Sequence, residues 1–113
     1  MRQASPRTSI SQATRSMLST CKRIIQERVP DAAVVLFGSR ARGDAAPDSD
    51  YDLLVLTDTP LTSADEDSIS DAVYDLELER GVVISLIFFP RDYWDHHRLM
   101  PLHQEVDSEG IVL

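Results

Sequence analysis

The sequence predicts a single domain, residues 1–113, of the α/β (α+β) class, in which helices flank a small mixed sheet of three to four strands. The chain has 113 residues, a common size for one domain. It is 42% hydrophobic with four glycines and six prolines, a composition that excludes a disordered chain. Short apolar runs alternate with segments whose apolar residues recur at helical spacing, and this alternation predicts layers of helix and strand.

The first half of the chain predicts one helix and two strands. A helix is expected over residues 10–28, where apolar residues recur at steps of three and four. The apolar run over residues 32–37 predicts a buried strand that ends at Gly38, and residues 51–56 predict a second strand. About a dozen residues join these strands, so they can run parallel or antiparallel.

The second half predicts a helix, a strand and two short helices. Residues 62–80 form a helical stripe, and Ser63 with Glu66 has the spacing of a capping box. Residues 81–89 are rich in β-branched residues and predict the third strand. Two short helical segments and a terminal Ile-Val-Leu follow Pro90.

Charge and composition limit the possible functions. The formal net charge is −8, and such an acidic chain is a poor candidate for direct binding to a nucleic-acid backbone, which requires phosphate neutralisation. The longest apolar run, residues 81–90, is far shorter than the ~20 residues that span a bilayer. A single cysteine and an N-terminus without a signal-type apolar run predict a cytoplasmic protein.

Two acids at the start of the second strand are the candidate metal ligands. Alternate residues of a strand face the same side, so Asp50 and Asp52 are expected to project together. Adjacent carboxylates repel unless a cation lies between them, and their hard oxygens suit Mg²⁺. The alternative is a solvated strand entrance without a ligand.

The turn after the first strand is the candidate phosphate site. Gly38 permits a sharp turn, and a helix that opens at Ser39 would present N–H groups to an anion. Arg42 is expected either to bind phosphate or to pair with Asp44, and Arg40 is expected to face solvent. The spacing from Gly38 to Gly43 resembles a P-loop, but Asp44 stands where that motif needs lysine.

These motifs together resemble the minimal nucleotidyltransferases of the polymerase-β-like superfamily. The signature Gly-Ser-x-Ala-Arg-Gly…Ser-Asp-x-Asp-Leu is matched by Gly38, Ser39, Ala41, Arg42, Gly43, Ser49, Asp50, Asp52 and Leu53. The tail Pro-Leu-His-Gln-Glu-Val-Asp-Ser-Glu-Gly-Ile is similar to the ending of stand-alone members, so the resemblance covers nearly the whole chain.

The resemblance implies a nucleotidyltransferase fold and transfer of a nucleoside monophosphate, AMP from ATP, to a protein hydroxyl. Asp50 and Asp52 would be the catalytic residues that bind two Mg²⁺ ions, and Gly38, Ser39 and Arg42 would bind the nucleotide. Stand-alone members typically act as antitoxins that adenylylate a small helical HEPN ribonuclease toxin. The resemblance implies that partner here, with a homodimer or a hetero-oligomer both open.

One position departs from the family pattern. The superfamily usually places a third acid on the next strand, and the counterpart here is Ser85. A hydroxyl binds metal and accepts a proton less well than a carboxylate. The alternative function is therefore a catalytically weakened, nucleotide-binding antitoxin that neutralises its partner by direct contact.

Overall fold

The computed structural model describes residues 1–3 and 10–113, which form a five-stranded sheet with helices on both faces. The elements in chain order are β1 (Arg2–Gln3), α1 (Gln12–Arg28), β2 (Ala33–Phe37), α2 (Ser39–Arg42), β3 (Tyr51–Thr57), α3 (Ser63–Arg80), β4 (Ile84–Pro90), α4 (Arg91–His96), α5 (Pro101–Glu109) and β5 (Ile111–Val112). None of the helices in this described part is long and apolar enough to cross a membrane.

The sheet is mixed, with strand order β1-β5-β2-β3-β4. The predicted α/β class is confirmed, but the expected three to four strands are five. The two additional strands, β1 and β5, are two residues long each, too short to show any periodicity in the sequence. β2 and β3 run antiparallel, which resolves the direction that the sequence left open, and β3 and β4 run parallel.

Each face of the sheet carries its own apolar core. On one face, α1 and α3 cover alternate residues of the central strands, including Val34, Leu36, Leu53 and Val55. On the other face lie Val35, Phe37, Leu54 and Leu56, which pack with Trp94 of α4 and Val106 of α5. Near-continuous apolar strands are expected where both faces are covered, which is why β2 and β3 lack polar alternation.

Helix boundaries differ slightly from those expected. The capping box of α3 lies one residue earlier than predicted: Thr62 is the N-cap, its hydroxyl accepts from the N–H of Asp65 at 3.1 Å, and Asp65 accepts from the N–H of Thr62. The pairs Thr62–Asp65 and Ser63–Glu66 both have the spacing of a capping box, and the structure selects the first because the helix begins one residue after Thr62. β4 begins at Ile84 rather than at residue 81, because Gly81 ends α3 in the left-handed conformation.

The single cysteine lies on the side of α1 that faces the core. Cys21 is fully buried, and burial raises the pKa of its thiol to about 12. It is therefore a small apolar core residue, as its position on the helical stripe predicts.

Candidate active site

The two candidate carboxylates lie at the start of β3, on the face that α4 and α5 cover. Asp50 immediately precedes the strand, and Asp52 is its second residue, in line with the inward-facing Leu54. The apolar core of this face begins at Leu54, so the two carboxylates lie at the edge where that core meets solvent. The structure thus brings the two acids together on one side, as the alternation predicts.

Gly38 and Ser39 form the turn between β2 and α2, opposite these acids. In the β2–β3 register Phe37 pairs with Asp52, so the turn begins one residue beyond the carboxylate. Gly38 has φ +77°, and its carbonyl accepts from the N–H groups of Ala41 and Arg42 at 3.0 and 3.1 Å. The N–H groups of Ser39 and Arg40 lie in the first turn of α2 and have no intrahelical partner. They are the donors that the turn can offer to an anion.

Gly38 is required for the approach of the turn to Asp52. A Cβ atom built on Gly38 would overlap Oδ2 of Asp52. Burial is the main cause that raises the pKa of Asp52, and the neighbouring charge of Asp50 raises it further, while Arg42 opposes both. A cation placed at these carboxylates would relieve that repulsion.

Ser85 occupies the corresponding position on the adjacent strand. It pairs with Asp52 in the parallel β3–β4 register, and its hydroxyl donates to Oδ2 of Asp50 at 3.5 Å. A carboxylate at this position would face both aspartates. Ser85 thus lies beside both aspartates, and its interpretation as a degenerate third-acid site stays a prediction.

Arg42 is paired with acids from two directions. Its Nε donates to Oδ2 of Asp44 at 3.3 Å, the structural pairing that the sequence left as one of two alternatives. Its Nη1 also donates to both carboxylate oxygens of Glu109, at 3.1 and 2.9 Å, and lies 3.7 Å from Glu105. The guanidinium is thus held beside Asp52 by the last turn of α5.

Glu109 is a site residue that the sequence reasoning missed. Its Oε1 accepts from the N–H of Gly38 at 3.1 Å, and its carboxylate raises the pKa of both Asp52 and Glu105. Nothing local in the sequence identifies it, because it lies 71 residues from Gly38. The only available signal was that the tail itself resembles the ending of stand-alone family members.

Arg40 does not face solvent freely, contrary to the sequence expectation. Its guanidinium donates to the carbonyl of Ser49 at 2.9 Å and of Pro47 at 3.1 Å, and lies over the ring of Tyr51 at 4.4 Å. Carbonyl groups of an irregular loop leave no sequence pattern, which is why these partners could not be predicted. Arg40 fixes the loop that delivers Asp50.

The donor set suits a magnesium–nucleotide better than a metal held by protein alone. In the described ranges, no three His, Cys, Asp or Glu side chains are grouped so as to hold a metal ion. Mg²⁺ is typically bound through one or two carboxylates, with phosphates and water completing its octahedron. Asp50 and Asp52 can supply those two carboxylates, and the Gly38–Ser39 turn can supply donors to the phosphates.

Comparison with known families agrees with this geometry. The model of the nucleotidyltransferase domain family matches residues 18–106, which include both aspartates, the glycine–serine turn and β4. The chain belongs to this family. The resemblance inferred from the sequence is thereby confirmed.

Two curated relatives of this nucleotidyltransferase domain carry the name of a protein adenylyltransferase. MJ0604 of Methanocaldococcus jannaschii is 36% identical over 80 residues, which are 71% of this chain and 75% of the relative. MntA of Haemophilus influenzae is 38% identical over 61 residues, which are 54% of each chain. The match thus spans about half the length of MntA.

A solved structure has the same fold. It is the tri-AMPylated HEPN toxin of Shewanella oneidensis in complex with MNT antitoxin, and a chain of it superposes with a TM-score of 0.59 at 16% identity. The superposition covers 87% of this domain and 69% of that chain. The predicted nucleotidyltransferase fold is therefore confirmed.

Proposed function

We propose that this protein transfers AMP from ATP to a hydroxyl group of a partner protein, and that the partner is a HEPN-type toxin which the transfer inactivates. The hydroxyl oxygen would bond to the α-phosphorus of ATP as the bond between the α- and β-phosphates breaks, and pyrophosphate would leave. The observation that carries the proposal is the placement of Asp50 and Asp52 directly beside the Gly38–Ser39 turn. The family, the adenylyltransferase names of two relatives and the AMPylated toxin in a structural neighbour support it. The single buried cysteine fits a cytoplasmic location.

Each residue of the site has a role in this reaction. Asp50 and Asp52 would hold Mg²⁺, which when bound neutralises phosphate charge and favours ionisation of an attacking hydroxyl. The N–H groups and hydroxyl at Ser39 would bind the triphosphate tail. Arg42, held beside Asp52, would place its positive charge on the phosphates.

A protein acceptor needs a surface beside these residues. A groove of about 420 Å³ is lined by Tyr74, Leu78 and Val83, whose exposed fractions are 54%, 64% and 53%. Asp48 and Ser49, the loop residues that immediately precede Asp50, also line this groove. Exposed apolar side chains grouped in this way are typical of protein contact surfaces.

The second candidate is neutralisation of the toxin by contact alone, and Ser85 favours it. A hydroxyl at 3.5 Å from Asp50 cannot take up the proton of the attacking group as a carboxylate does. A nucleotidyltransferase fold that binds its partner without modifying it would retain the same surface.

A neutralisation assay separates the two candidates. The toxin's ribonuclease activity is measured after incubation with this protein, with and without Mg²⁺ and ATP. Transfer predicts that inactivation requires ATP, persists after this protein is removed, and is lost in the double variant Asp50→Asn/Asp52→Asn. Asp67→Asn, which removes an exposed acid of α3, is the matched control and retains activity. Stoichiometric inhibition by the double variant without nucleotide would contradict transfer and establish contact.

A further inference from the structure

Glu109 is fixed at the end of α5 by contacts that do not involve its own carboxylate. The next residue, Gly110, donates its N–H to the carbonyl of Val106 at 2.7 Å, and a Cβ atom at Gly110 would approach Val35 Cγ1 to 2.9 Å. The chain then enters β5, which pairs with β2. The backbone of Glu109 is therefore anchored to the strand that leads into the Gly38–Ser39 turn.

From this position the Glu109 carboxylate makes three hydrogen bonds to the site. It accepts from the buried N–H of Gly38 at 3.1 Å and from Nη1 of Arg42 at 3.1 and 2.9 Å. Its side chain is 12% exposed, whereas Glu105, one turn earlier, is 43% exposed and only approaches Arg42 at 3.7 Å. A buried backbone N–H requires a partner, and Glu109 is the partner that Gly38 has.

We infer that Glu109 is a positioning residue of the nucleotide site: its carboxylate holds both the Gly38–Ser39 turn and Arg42 in the arrangement that binds the triphosphate. The inference rests on the proposed function, because it assigns the turn and Arg42 to the nucleotide. Glu109 itself does not touch the nucleotide. It acts through the N–H of Gly38 and the guanidinium of Arg42, both of which donate to its carboxylate.

The same contacts also allow the opposite role, in which Glu109 hinders nucleotide binding. A carboxylate on the Gly38 N–H and on Arg42 could compete with phosphate for the same donors. In that case removal of the carboxylate would tighten nucleotide binding. The structure favours positioning, because no side chain caps α2, so the N–H groups of Ser39 and Arg40 in its first turn remain for phosphate while Glu109 occupies that of Gly38.

The test is the dissociation constant for Mg²⁺ with AMP-PNP, measured by calorimetry on the whole chain. Glu109→Ala removes all three hydrogen bonds and is expected to weaken binding by ~10-fold or more, the loss associated with a charge-assisted hydrogen bond. Glu109→Gln keeps an acceptor for the Gly38 N–H and is expected to lose less. Gln104→Ala, at an exposed position of the same helix, is the control with wild-type affinity.

A double-mutant cycle with Arg42→Ala separates positioning from general stability. If Glu109 acts through Arg42, Glu109→Ala costs at least ~3-fold less affinity in the Arg42→Ala background than in the wild type. The amide resonance of Gly38 is expected to shift in Glu109→Ala, and thermal unfolding of each variant identifies any that fails to fold. If Glu109→Ala fails to fold, the inference is judged on Glu109→Gln, which changes the side chain least.

The outcomes are distinct. Wild-type protein that does not bind Mg²⁺ with AMP-PNP overturns the proposed function, and the inference with it. Wild-type protein that binds, with equal or tighter binding by both Glu109 variants, overturns the inference alone. Weaker binding by Glu109→Ala with additive effects in the cycle would contradict action through Arg42.

Discussion

Gly38 and Asp52 are packed so closely that a methyl group on Gly38 would overlap the Asp52 carboxylate. The contact joins the turn after β2 to the second residue of β3. It explains why a residue without a side chain is needed at this point: the backbone has a positive φ, and the space beside it already contains the candidate metal ligand.

Gly38→Ala is therefore expected to damage the site as well as the fold. Its backbone, at φ +77° and ψ −161°, lies in a region open essentially only to glycine and alone costs about 1–3 kcal/mol for a residue with a Cβ atom, and displacement of Asp52 adds to that. Gly43→Ala is the matched control, because Gly43 has φ +86° but no atom within 4 Å of the added Cβ. Chemical denaturation should show a loss for both variants, with loss of Mg²⁺–AMP-PNP binding only in Gly38→Ala. Equal binding by the two variants would show that the contact with Asp52 is unimportant.

Asp52→Asn is expected to stabilise the protein near pH 7. Burial and the charge of Asp50 raise the pKa of Asp52 above its ordinary value near 3.8, so the folded state binds this proton more tightly than the unfolded chain does. The free energy of unfolding therefore falls as pH rises through the raised pKa, and the whole of this destabilisation is present at neutral pH. Removal of the charge should raise Tm by about 2–4 °C, because burial of this partly exposed carboxylate and its repulsion by Asp50 together cost about 0.5 kcal/mol.

Thermal unfolding at several pH values tests the direction of this change in stability. The advantage of Asp52→Asn over the wild type should shrink as pH falls and vanish below the ordinary aspartate pKa, where the wild-type carboxyl is also neutral. A variant that is less stable than the wild type at pH 7 would show that Asp52 is stabilised by contacts rather than strained by repulsion.

Local features of the sequence predicted where most residues of the candidate site lie. Gly38, Ser39, Asp50 and Asp52 lie within 15 residues of one another and follow two apolar strands, so strand alternation and turn chemistry were sufficient to place them. Glu109 could not be placed in this way, because its role depends on how α5 ends against β2. The partners of Arg40 were missed for a related reason: they are backbone carbonyls, which any sequence provides.

The strand count was underestimated for a physical reason as well. β5 pairs with β2 at the edge of the central sheet, and β1 pairs with β5, so two residues of each were enough without any pattern of their own. Long elements with apolar periodicity, such as α1 and β3, were predicted nearly to their ends.

Ser85→Asp is expected to increase transfer. The new carboxylate would lie beside Asp52 in the register and near Asp50, where it could accept a proton or bind metal. Proton transfer by a positioned group typically contributes ~100-fold or more, and we expect an increase of at least ~10-fold in kcat for AMP transfer. Ser85→Asn, which has the same size without the charge, is the control. An unchanged rate in Ser85→Asp would mean that another group already performs this step.

The most direct test of the account is the intact mass of the toxin after co-expression with this protein. We predict that the toxin gains the mass of one or more AMP units with the wild-type protein and none with Asp52→Asn, a loss of at least ~100-fold in transfer, since loss of even an outer-shell partner of a metal ligand costs 10–100-fold. Unmodified toxin in a stable complex with both forms would contradict the central claim and show that this nucleotidyltransferase fold neutralises its partner by contact.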